Sequence, residues 1–411
     1  MSVLVIETNV CIIGAGPSGS TTSIVLSKLG ISHVIIDAAV FPRDKICGDV
    51  LDLKVIRVLN QISPSIVSDE MMHDENFVQI TGFSVNSTHN KNHRIQYEPK
   101  SSDPTFPLFF LCKRKYFDYF LVKKINPQYA NFKQGTRVIK IEKLENGRWK
   151  IQAVCASENI EIYCNLLVGA DGDHSIVLRS LGERKIDRQH YAGGLRQYWK
   201  GVRGMNNANH LEVFFSKKFP LAYLWIFPHL NDETNVGYML SSELIAKNNL
   251  NLKNIFTDLL NEDAIISDKF KNALPLEKTM GWGLPLASGQ RKASGDGWLL
   301  VGDAASLICP TTGEGIGPGM ISGYIAAHFI ARAVQQKQFN HNLFKNYDRE
   351  IYKRLNDDIS QYNLLRKLPI ALLNFIISAI TFKGFVIYFI NKRVNKWVKT
   401  AYQKSITIQF D

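Results

Sequence analysis

The chain has 411 residues, of which 45% are hydrophobic and 21% are charged. This ordinary globular composition, on a chain long enough for two or three domains, excludes an intrinsically disordered protein. The formal net charge is +12, and residues 359–404 carry eight Lys or Arg and no Asp or Glu, so much of the excess lies in the tail. Six cysteines without a CxxC pair argue against a disulfide framework, a metal site or a cysteine-bound iron–sulfur cluster.

The first residues contain no basic leader followed by an apolar core, so we expect no export signal and a cytoplasmic protein. An apolar strand then leads into the pattern GAGPSG at residues 14–19, a helical stretch, and a second strand that ends at Asp37. Gly14 permits the tight turn, Gly16 lets the backbone approach a pyrophosphate, and Gly19 lets the helix pack on the strand. Asp37 is placed to accept a hydrogen bond from a ribose hydroxyl. The unit therefore predicts dinucleotide binding, and the alternative is a glycine-rich turn.

Two distant segments also place a glycine at the end of an apolar strand. Residues 166–172 and 298–305 each run an apolar strand into a glycine and an aspartate, at Asp171 and at Gly302-Asp303. If these strands lie parallel beside the first, their carboxyl ends share one edge of the sheet, where ligands bind in open α/β folds. The three segments together predict a single binding site.

An aromatic strand follows in the middle of the chain. Tyr223, Trp225 and Phe227 alternate with Leu224 and Ile226, so on an extended strand the three rings project from one face and the aliphatic side chains from the other. The rings are suited to line a flat or apolar cavity, and the alternative is core packing.

The pattern PxxYxWxFP at residues 220–228, followed by Gly237-Tyr-Met239, resembles the substrate-domain signature of the geranylgeranyl reductase family of FAD-dependent alkene reductases, with Met239 where that family has a glycine. The loop from Phe41 to Asp49 and the run Pro310-x-x-Gly313-Glu314-Gly315-Ile316 are similar to that family's versions, with Asp49 in the place of a glycine. Residues 166–172 and 298–305 resemble the FAD fingerprints of the wider superfamily of aromatic hydroxylases and flavin halogenases. The halogenase motif GxWxWxIP is absent.

The resemblance implies an α/β fold, with a Rossmann-like FAD-binding domain, a β-rich substrate domain and a helical C-terminal region. It implies that Asp303 holds the ribityl chain, that Asp171 lies near the pyrophosphate, that Arg114 lies at the flavin phosphates or ribityl region, and that Val138 lies beside the adenine. The glycines before Pro318 expose N–H groups at a helix start, where a flavin ring can dock and where its anion would gain up to ~2 kcal/mol. The expected FAD-binding residues are Gly14, Gly16, Pro17, Ser18, Gly19, Asp37, Arg43, Cys47, Gly48, Arg114, Val138, Asp171, Gly302, Asp303, Pro310, Gly313, Gly315 and Ile316.

The implied reaction is the saturation of C=C bonds in a hydrophobic prenyl or polyene substrate, by hydride transfer from N5 of reduced FAD and protonation of the other carbon. NAD(P)H or a reduced ferredoxin is the expected electron donor. Cys47, Tyr223 and Glu314 are the candidate proton donors, unranked, because their motifs converge on the flavin. Tyr223, Trp225 and Phe227 are expected to bind substrate. Arg196 either meets an anionic headgroup or is a solvated cross-strand partner. The alternatives are an FAD-dependent monooxygenase of the same fold and a lipid-binding flavoprotein without turnover.

The motifs predict a discontinuous FAD domain of residues 1–78, 108–185 and 276–345, a substrate domain of residues 79–107 and 186–275, and a helical, basic region of residues 346–411. The uncharged run at residues 368–382 reaches only about 22 Å as a helix, short of a ~30 Å bilayer core. The tail therefore predicts one of two structures. It forms either a helix that lies on the anionic surface of the inner face of the cell membrane, or a helical lid that packs on the FAD domain. It lacks a nucleic-acid recognition pattern. The oligomeric state stays open.

Overall fold

The computed structural model describes residues 3–87, 94–97, 107–156, 158–205, 209–216, 218–382, 398, 401–402 and 406–408. The strands of these residues are β1 (Val3–Ile13), β2 (His33–Ile36), β3 (Val50–Leu51), β4 (Val78–Ile80), β5 (Gly82–Ser87), β6 (Arg94–Tyr97), β7 (Phe109–Leu111), β8 (Ala130–Lys133), β9 (Thr136–Lys143), β10 (Trp149–Cys155), β11 (Glu158–Gly169), β12 (Tyr191–Lys200), β13 (His210–Phe215), β14 (Tyr223–Pro228), β15 (Glu233–Ser241), β16 (Leu274–Pro275), β17 (Met280–Pro285), β18 (Ser294–Gly295) and β19 (Trp298–Leu300). The α-helices are α1 (Pro17–Lys28), α2 (Leu53–Ile62), α3 (Arg114–Val122), α4 (Ile176–Ser180), α5 (Ser242–Lys247), α6 (Leu252–Glu262), α7 (Ser267–Phe270), α8 (Ile316–Gln336), α9 (His341–Lys353), α10 (Asn356–Leu365) and α11 (Ile370–Phe382).

The first sheet has the order β18-β19-β11-β1-β2-β8, with β10 and β9 added antiparallel beside β11. Strands β19, β11, β1, β2 and β8 run parallel, so the glycines and aspartates that follow three of them meet at one edge, as predicted. Residues 10–13 of β1 and all of β2 are buried, because helices cover the sheet. Helix α1 packs against the long helix α8. The α/β fold class is thus confirmed.

The second sheet has the order β16-β12-β15-β14-β13-β5-β6. Strand β17 also pairs with β12. It is antiparallel except between β5 and β13. Leu224 and Ile226 pack on one face with Phe256 and Leu260 of α6. Trp225 and Phe227 belong to a separate cluster on the other face. The alternation predicted for this strand therefore divides a helix-covered core from a wall of rings.

One predicted boundary needs correction. Strand β17 at residues 280–285 pairs with β12 from Tyr191 to Arg196, so these residues belong to the second sheet and the first sheet resumes only after Pro285, not at residue 276. The edge of β12 otherwise exposes unpaired backbone groups, and β16 and β17 cover it in turn. A third, small sheet has the order β3-β7-β4.

The C-terminal region is largely helical in its described residues up to 382, as predicted. Helix α9 packs on α8 and β18, and α11 lies along β5 and β6 of the second sheet. Ile406 and Ile408 of the tail pack on the core of the FAD domain. Leu373 of α11 is buried, whereas Ile370 and Phe375 are exposed. Within the described ranges, no helix is both long and apolar enough to cross a membrane. Lys383, Lys392, Arg393, Lys396, Lys399 and Lys404 lie outside the described residues.

Candidate active site

A cavity of about 1220 Å³ lies between the two large sheets. Its polar end is formed by the loops after β1, β2, β11 and β19, and its apolar end by strands β12 to β15 together with β5. Typical ligand pockets have about 300–1,000 Å³, so this one has room for a large cofactor and a second molecule. All predicted site residues line it except Gly19 and Pro310.

The glycine loop at the polar end has the geometry of a phosphate cradle. Gly14 has φ +101°, and a Cβ atom there would meet the carbonyl oxygen of Ala170. At Gly16 a Cβ atom would have only the Arg43 guanidinium nearby, at 3.7 Å, so the backbone there is open to the cavity. Helix α1 starts at Pro17 with no side-chain cap, which leaves its first N–H groups available to an anion. Gly19 instead packs against the Gly14 carbonyl, the close approach of helix and strand that the motif predicts.

Asp37 has two roles in this cradle. Its carboxylate accepts hydrogen bonds from the backbone N–H of Ala15 at 2.7 Å and of Ala39 at 2.8 Å, so it ties β2 to the glycine loop. It also lines the cavity, where a carboxylate oxygen has a second lone pair for a ribose hydroxyl. The predicted role therefore fits the position found.

Arg114 and Arg43 lie along the same side of the cavity and share one carboxylate. Arg114 makes a bidentate pair with Asp118, at 2.7 and 2.8 Å, and Arg43 donates to the same carboxylate at 2.5 Å. Asp118 is fully buried. Burial opposes the charge of Arg114, but Asp118 outweighs burial and raises the pKa of the guanidinium. Two cations on one anion leave a net positive charge beside the cavity, which suits a phosphate-bearing cofactor.

Asp303 and Asp171 lie at the ends of β19 and β11. Burial raises the pKa of Asp303, while Lys45 and Arg114 oppose that rise. Burial lowers the pKa of Lys45 to about 8, and its ammonium lies 3.2 Å from the ring centre of Trp282. One oxygen of Asp171 accepts the N–H groups of Ile176 and Val177 at the start of α4.

The other Asp171 oxygen is buried without a partner among the described residues. A buried, unpaired acceptor in a cavity wall is what a hydroxyl-rich ligand would satisfy. Together with the open Gly16 backbone and the cationic side at Arg114, it shows that the residues present fit FAD. Within the described residues, no cluster of His, Cys, Asp and Glu could hold a metal ion.

The start of α8 closes the middle of the cavity. Its N-cap is Gly315, no side chain caps it, and Gly315, Ile316 and Gly317 line the cavity. Pro318 falls in the first turn, as predicted. Pro310, predicted to contact FAD, is buried outside the cavity lining, and Thr311 and Thr312 take its place there because the turn from Cys309 to Gly313 directs them inward.

The aromatic wall, defined as Tyr223, Trp225 and Phe227, faces the cavity. Neighbouring ring centres are 6.1 and 6.3 Å apart, and the Trp225 and Phe227 planes are inclined by only 27°. A Cβ atom at Gly237 would overlap the Trp225 ring, so the glycine of the motif is required to seat that indole. A Cβ atom at Gly48 would be 3.5 Å from Phe227. The wall therefore lies directly against the loop that carries Cys47.

A buried network behind this wall has no counterpart in the motif analysis. Asp49 is 1% exposed and has φ +67°, a left-handed backbone conformation that glycine adopts more readily than other residues. Its carboxylate accepts from the Tyr198 hydroxyl and from Asn235 Nδ2 at 2.8 Å, with His229 Nε2 at 3.3 Å. Burial opposes its ionisation, but these partners, His229 first, outweigh burial and lower the pKa of Asp49.

Asn235 connects this network to the cavity. Its Nδ2 also donates to the carbonyl oxygen of Cys47 at 2.8 Å, and its Oδ1 accepts from Trp225 Nε1 at 2.9 Å. We call Asp49, Tyr198, His229 and Asn235 the Asp49 network. It fixes the Trp225 ring and the Cys47 loop relative to each other. The aspartate in place of a glycine was the signal that could have revealed it.

The three candidate proton donors all line the cavity. Cys47 is partly buried, and burial raises the pKa of its thiol despite the nearby Arg114. The Tyr223 hydroxyl donates to the carbonyl oxygen of Thr312, and burial raises the pKa of Tyr223. Glu314 accepts from Lys54 at 2.8 Å. Lys45, Asp49 and Asp52 line the cavity as well, and sequence reasoning assigned them no role.

Arg196 lies in the cavity wall with its charge already matched. It is 1% exposed and pairs with Glu277 at 2.6 Å and Asp44 at 3.1 Å. Its guanidinium also lies 4.3 Å from the ring centre of Tyr198. The solvated cross-strand alternative is therefore wrong. The two carboxylates are the anionic partners that the structure gives it.

Comparison with known proteins agrees with this geometry. The model of the FAD-binding domain family matches residues 7–226. A menaquinone reductase of Mycolicibacterium smegmatis is 27% identical over 330 residues, which cover 78% of this chain and 76% of that protein. A digeranylgeranylglycerophospholipid reductase of Methanococcus vannielii is 26% identical over 379 residues, 90% of each chain.

Solved structures share the fold. A geranylgeranyl bacteriochlorophyll reductase-like protein from Thermoplasma acidophilum superposes with a TM-score of 0.79 at 20% identity, over 97% of this chain and 98% of that one. A halogenase in complex with phloroglucinol and FAD has a TM-score of 0.70 at 17% identity, over 94% and 85%. The family match covers more than half of the chain and coincides with the glycine cradle. The chain therefore belongs to the FAD-binding domain family and is an FAD-dependent oxidoreductase that is similar to geranylgeranyl reductases.

Proposed function

We propose that this protein saturates C=C bonds in a prenyl or polyene lipid. The observation that carries the proposal is the single cavity that joins the FAD cradle to the aromatic wall. Beyond that wall the lining is almost entirely apolar, with Leu211, Val213 and Phe215 from β13 and Phe83 and Val85 from β5. Such a lining favours a long hydrocarbon chain, because burying apolar surface stabilises by about 25 cal/mol per Å².

The names of the relatives support the same substrate class. One is a menaquinone reductase and another a digeranylgeranylglycerophospholipid reductase. A menaquinone and a digeranylgeranyl lipid have different headgroups, and both carry long isoprenoid chains. The long isoprenoid chain that both molecules carry is therefore suited to the apolar end of this cavity.

Reduced FAD supplies a hydride when it is bound. Side chains of the protein bind the cofactor, orient the alkene and supply the proton. Asp37, Arg114 and Asp303 would hold the cofactor, and the uncapped start of α8 would stabilise negative charge beside it. Tyr223, Trp225 and Phe227 would orient the alkene and exclude water. An isolated alkene accepts hydride poorly, so an acid within hydrogen-bonding range must protonate the second carbon.

The test is anaerobic incubation of dithionite-reduced, FAD-loaded protein with a panel of prenyl lipids and polyenes, read by mass spectrometry. We expect a mass gain of two hydrogens per reduced bond and reoxidation of the flavin in proportion. Dithionite replaces the physiological electron donor, so NAD(P)H and reduced ferredoxin are then compared as its substitutes. Product formed only with oxygen, carrying an added oxygen atom, would instead establish a monooxygenase. Tight lipid binding without any flavin reoxidation would establish a carrier.

A further inference from the structure

A charged cluster lies in the cavity wall next to the start of α8. It consists of Asp52, Lys54 and Glu314, of which the two acids line the cavity. Lys54 Nζ is 2.8 Å from Glu314 Oε2 and 3.7 Å from Asp52 Oδ2, and Asp358 of α10 is 3.9 Å from the same ammonium. Three carboxyl groups therefore surround one cation, which leaves an excess of negative charge unless a proton is retained.

Asp52 is held in a fixed orientation. It is 5% exposed and caps α2, with Oδ1 accepting from the backbone N–H of Lys54 at 3.1 Å and of Val55 at 3.0 Å. The first turn of α8 lies directly on this carboxyl, because a Cβ atom at Gly317 would be 2.5 Å from Oδ1. Glu314 comes from the loop before α8. The fold thus brings a helix cap and a distant loop residue together at one point.

The surroundings shift the pKa values of the two acids in opposite directions. Burial and the neighbouring Glu314 raise the pKa of Asp52 to about 8. Burial opposes the ionisation of Glu314 as well, but Lys54 outweighs burial and lowers the pKa of Glu314, which shares a hydrogen bond with Asp52. Lys54 stays charged, since Glu314 and Asp52 outweigh its burial and raise its pKa. Near neutral pH the two acids therefore hold one proton between them, and Asp52 carries it.

The Cys309 thiol and the Tyr223 hydroxyl also face this pair and do not release protons in the same range. Burial raises the pKa of the Cys309 thiol and of the Tyr223 hydroxyl. Asp358 is partly exposed on α10. The side of Lys54 away from the substrate cavity opens on a second cavity of about 300 Å³, lined also by Arg57 and Arg354. Since a water molecule occupies about 30 Å³ of liquid, that cavity has room for several.

From this geometry we infer that Asp52 and Glu314 form a proton-holding pair that supplies the acid of the reaction. The inference rests on the proposed function. The proton passes from Asp52 to Glu314, then the Glu314 O–H bond breaks and a C–H bond forms on the alkene carbon next to the one that receives the hydride. The pair, left fully ionised beside Lys54, takes back one proton from water on the side of the second cavity. Asp52 acts through Glu314 and is a positioning residue.

The decisive variant is Asp52→Asn, because asparagine also caps helices but cannot release a proton. At pH 7 we expect it to bind FAD normally and to lower the rate of alkene saturation by about 10² or more, the range of general acid catalysis. The wild-type rate should fall as pH rises through about 8, where Asp52 loses its proton, and that fall should be absent from the residual rate of the variant. Glu314→Gln should slow the reaction comparably.

Asp263→Asn is the matched control. Asp263 also accepts two backbone N–H groups, from Ile265 and Ile266, but it does not line the cavity, so its variant should keep the wild-type rate and pH profile. Infrared spectroscopy gives a second readout, without turnover: a carboxylic acid C=O band that titrates near pH 8 and disappears in Asp52→Asn. If Asp52→Asn keeps both the wild-type rate and its pH profile, the inference is wrong. If the wild type saturates no alkene, the proposed function fails, while the infrared band still tests the proton-holding pair.

Discussion

The two ends of the cavity are built in different ways. The FAD cradle is made of backbone, by glycines and aspartates that directly follow parallel strands, so its geometry comes from short stretches of chain. The aromatic wall is held by side chains from a loop, β12 and β15 that meet only in the folded protein, through the Asp49 network. A backbone site tolerates few substitutions at its glycines, whereas a side-chain network can change its specificity one residue at a time.

The largest expected effect tests the cradle with a matched pair of variants. Gly14→Ala places a Cβ atom against Ala170 at a positive φ, and we expect ~3–5 kcal/mol of destabilisation with no bound FAD. Gly16→Ala has free space around the new atom, so it should fold normally and bind FAD at least about tenfold more weakly. Thermal denaturation measures the stability of each variant, and FAD titration measures its affinity for the cofactor. Equal stability of both variants would show that the loop is not confined as described.

The second prediction concerns stability against pH at the junction of the two regions. The pKa of Asp52 is raised on folding, so between pH about 4 and 8 the folded state binds more protons than the unfolded one. The contribution of Asp52 to the free energy of unfolding should therefore fall as pH rises through this window, by up to ~1.4 kcal/mol per unit, and level off above about 8. Asp52→Asn should lack this slope, whereas Asp263→Asn should run parallel to the wild type in denaturant titrations. Parallel curves for all three would contradict the raised pKa.

The third prediction separates the wall from the cradle. Asp49→Ala leaves the Tyr198 hydroxyl and part of Asn235 buried without their acceptor, which should cost ~2–4 kcal/mol of stability. FAD content should stay full, because the partners of this carboxylate are Tyr198, Asn235 and His229 and none of them belongs to the glycine loop. The KM for lipid should rise as Trp225 loses its fixed position. Asp49→Asn keeps an acceptor oxygen and should therefore lose less stability than Asp49→Ala. Loss of FAD in proportion to stability would show that the two regions are one unit.

The smallest effect is expected at Tyr223. Tyr223→Phe removes the hydrogen bond to Thr312 and should cost about 1 kcal/mol of stability. If the Asp52–Glu314 pair supplies the proton, single-turnover oxidation of the reduced flavin by substrate should slow by no more than about threefold, equivalent to ~0.7 kcal/mol. Cys47→Ala serves as the parallel variant. A hundredfold loss in either would transfer the donor role to that residue.

Sequence patterns went furthest where function depends on neighbouring residues. The βαβ unit, the three parallel strands and the two faces of the aromatic strand were all predicted, because glycine placement and a period of two are local properties. The resumption of the first sheet was placed too early, since the pairing of β17 with β12 depends on an open edge that no local pattern shows. Pro310 was placed in the cavity, although the turn that carries it points it away.

The sequence by itself determined the FAD cradle and the existence of an aromatic wall, because each is encoded in a continuous stretch whose backbone conformation follows from its residues. Only the tertiary structure decided which charges meet: Arg196 with Glu277, Asp49 with Tyr198 and Asn235, and Asp52 with Glu314. These partners are far apart in the chain. Their protonation depends on burial and on the distance to neighbouring charges, and both quantities exist only once the sheets have closed around the cavity.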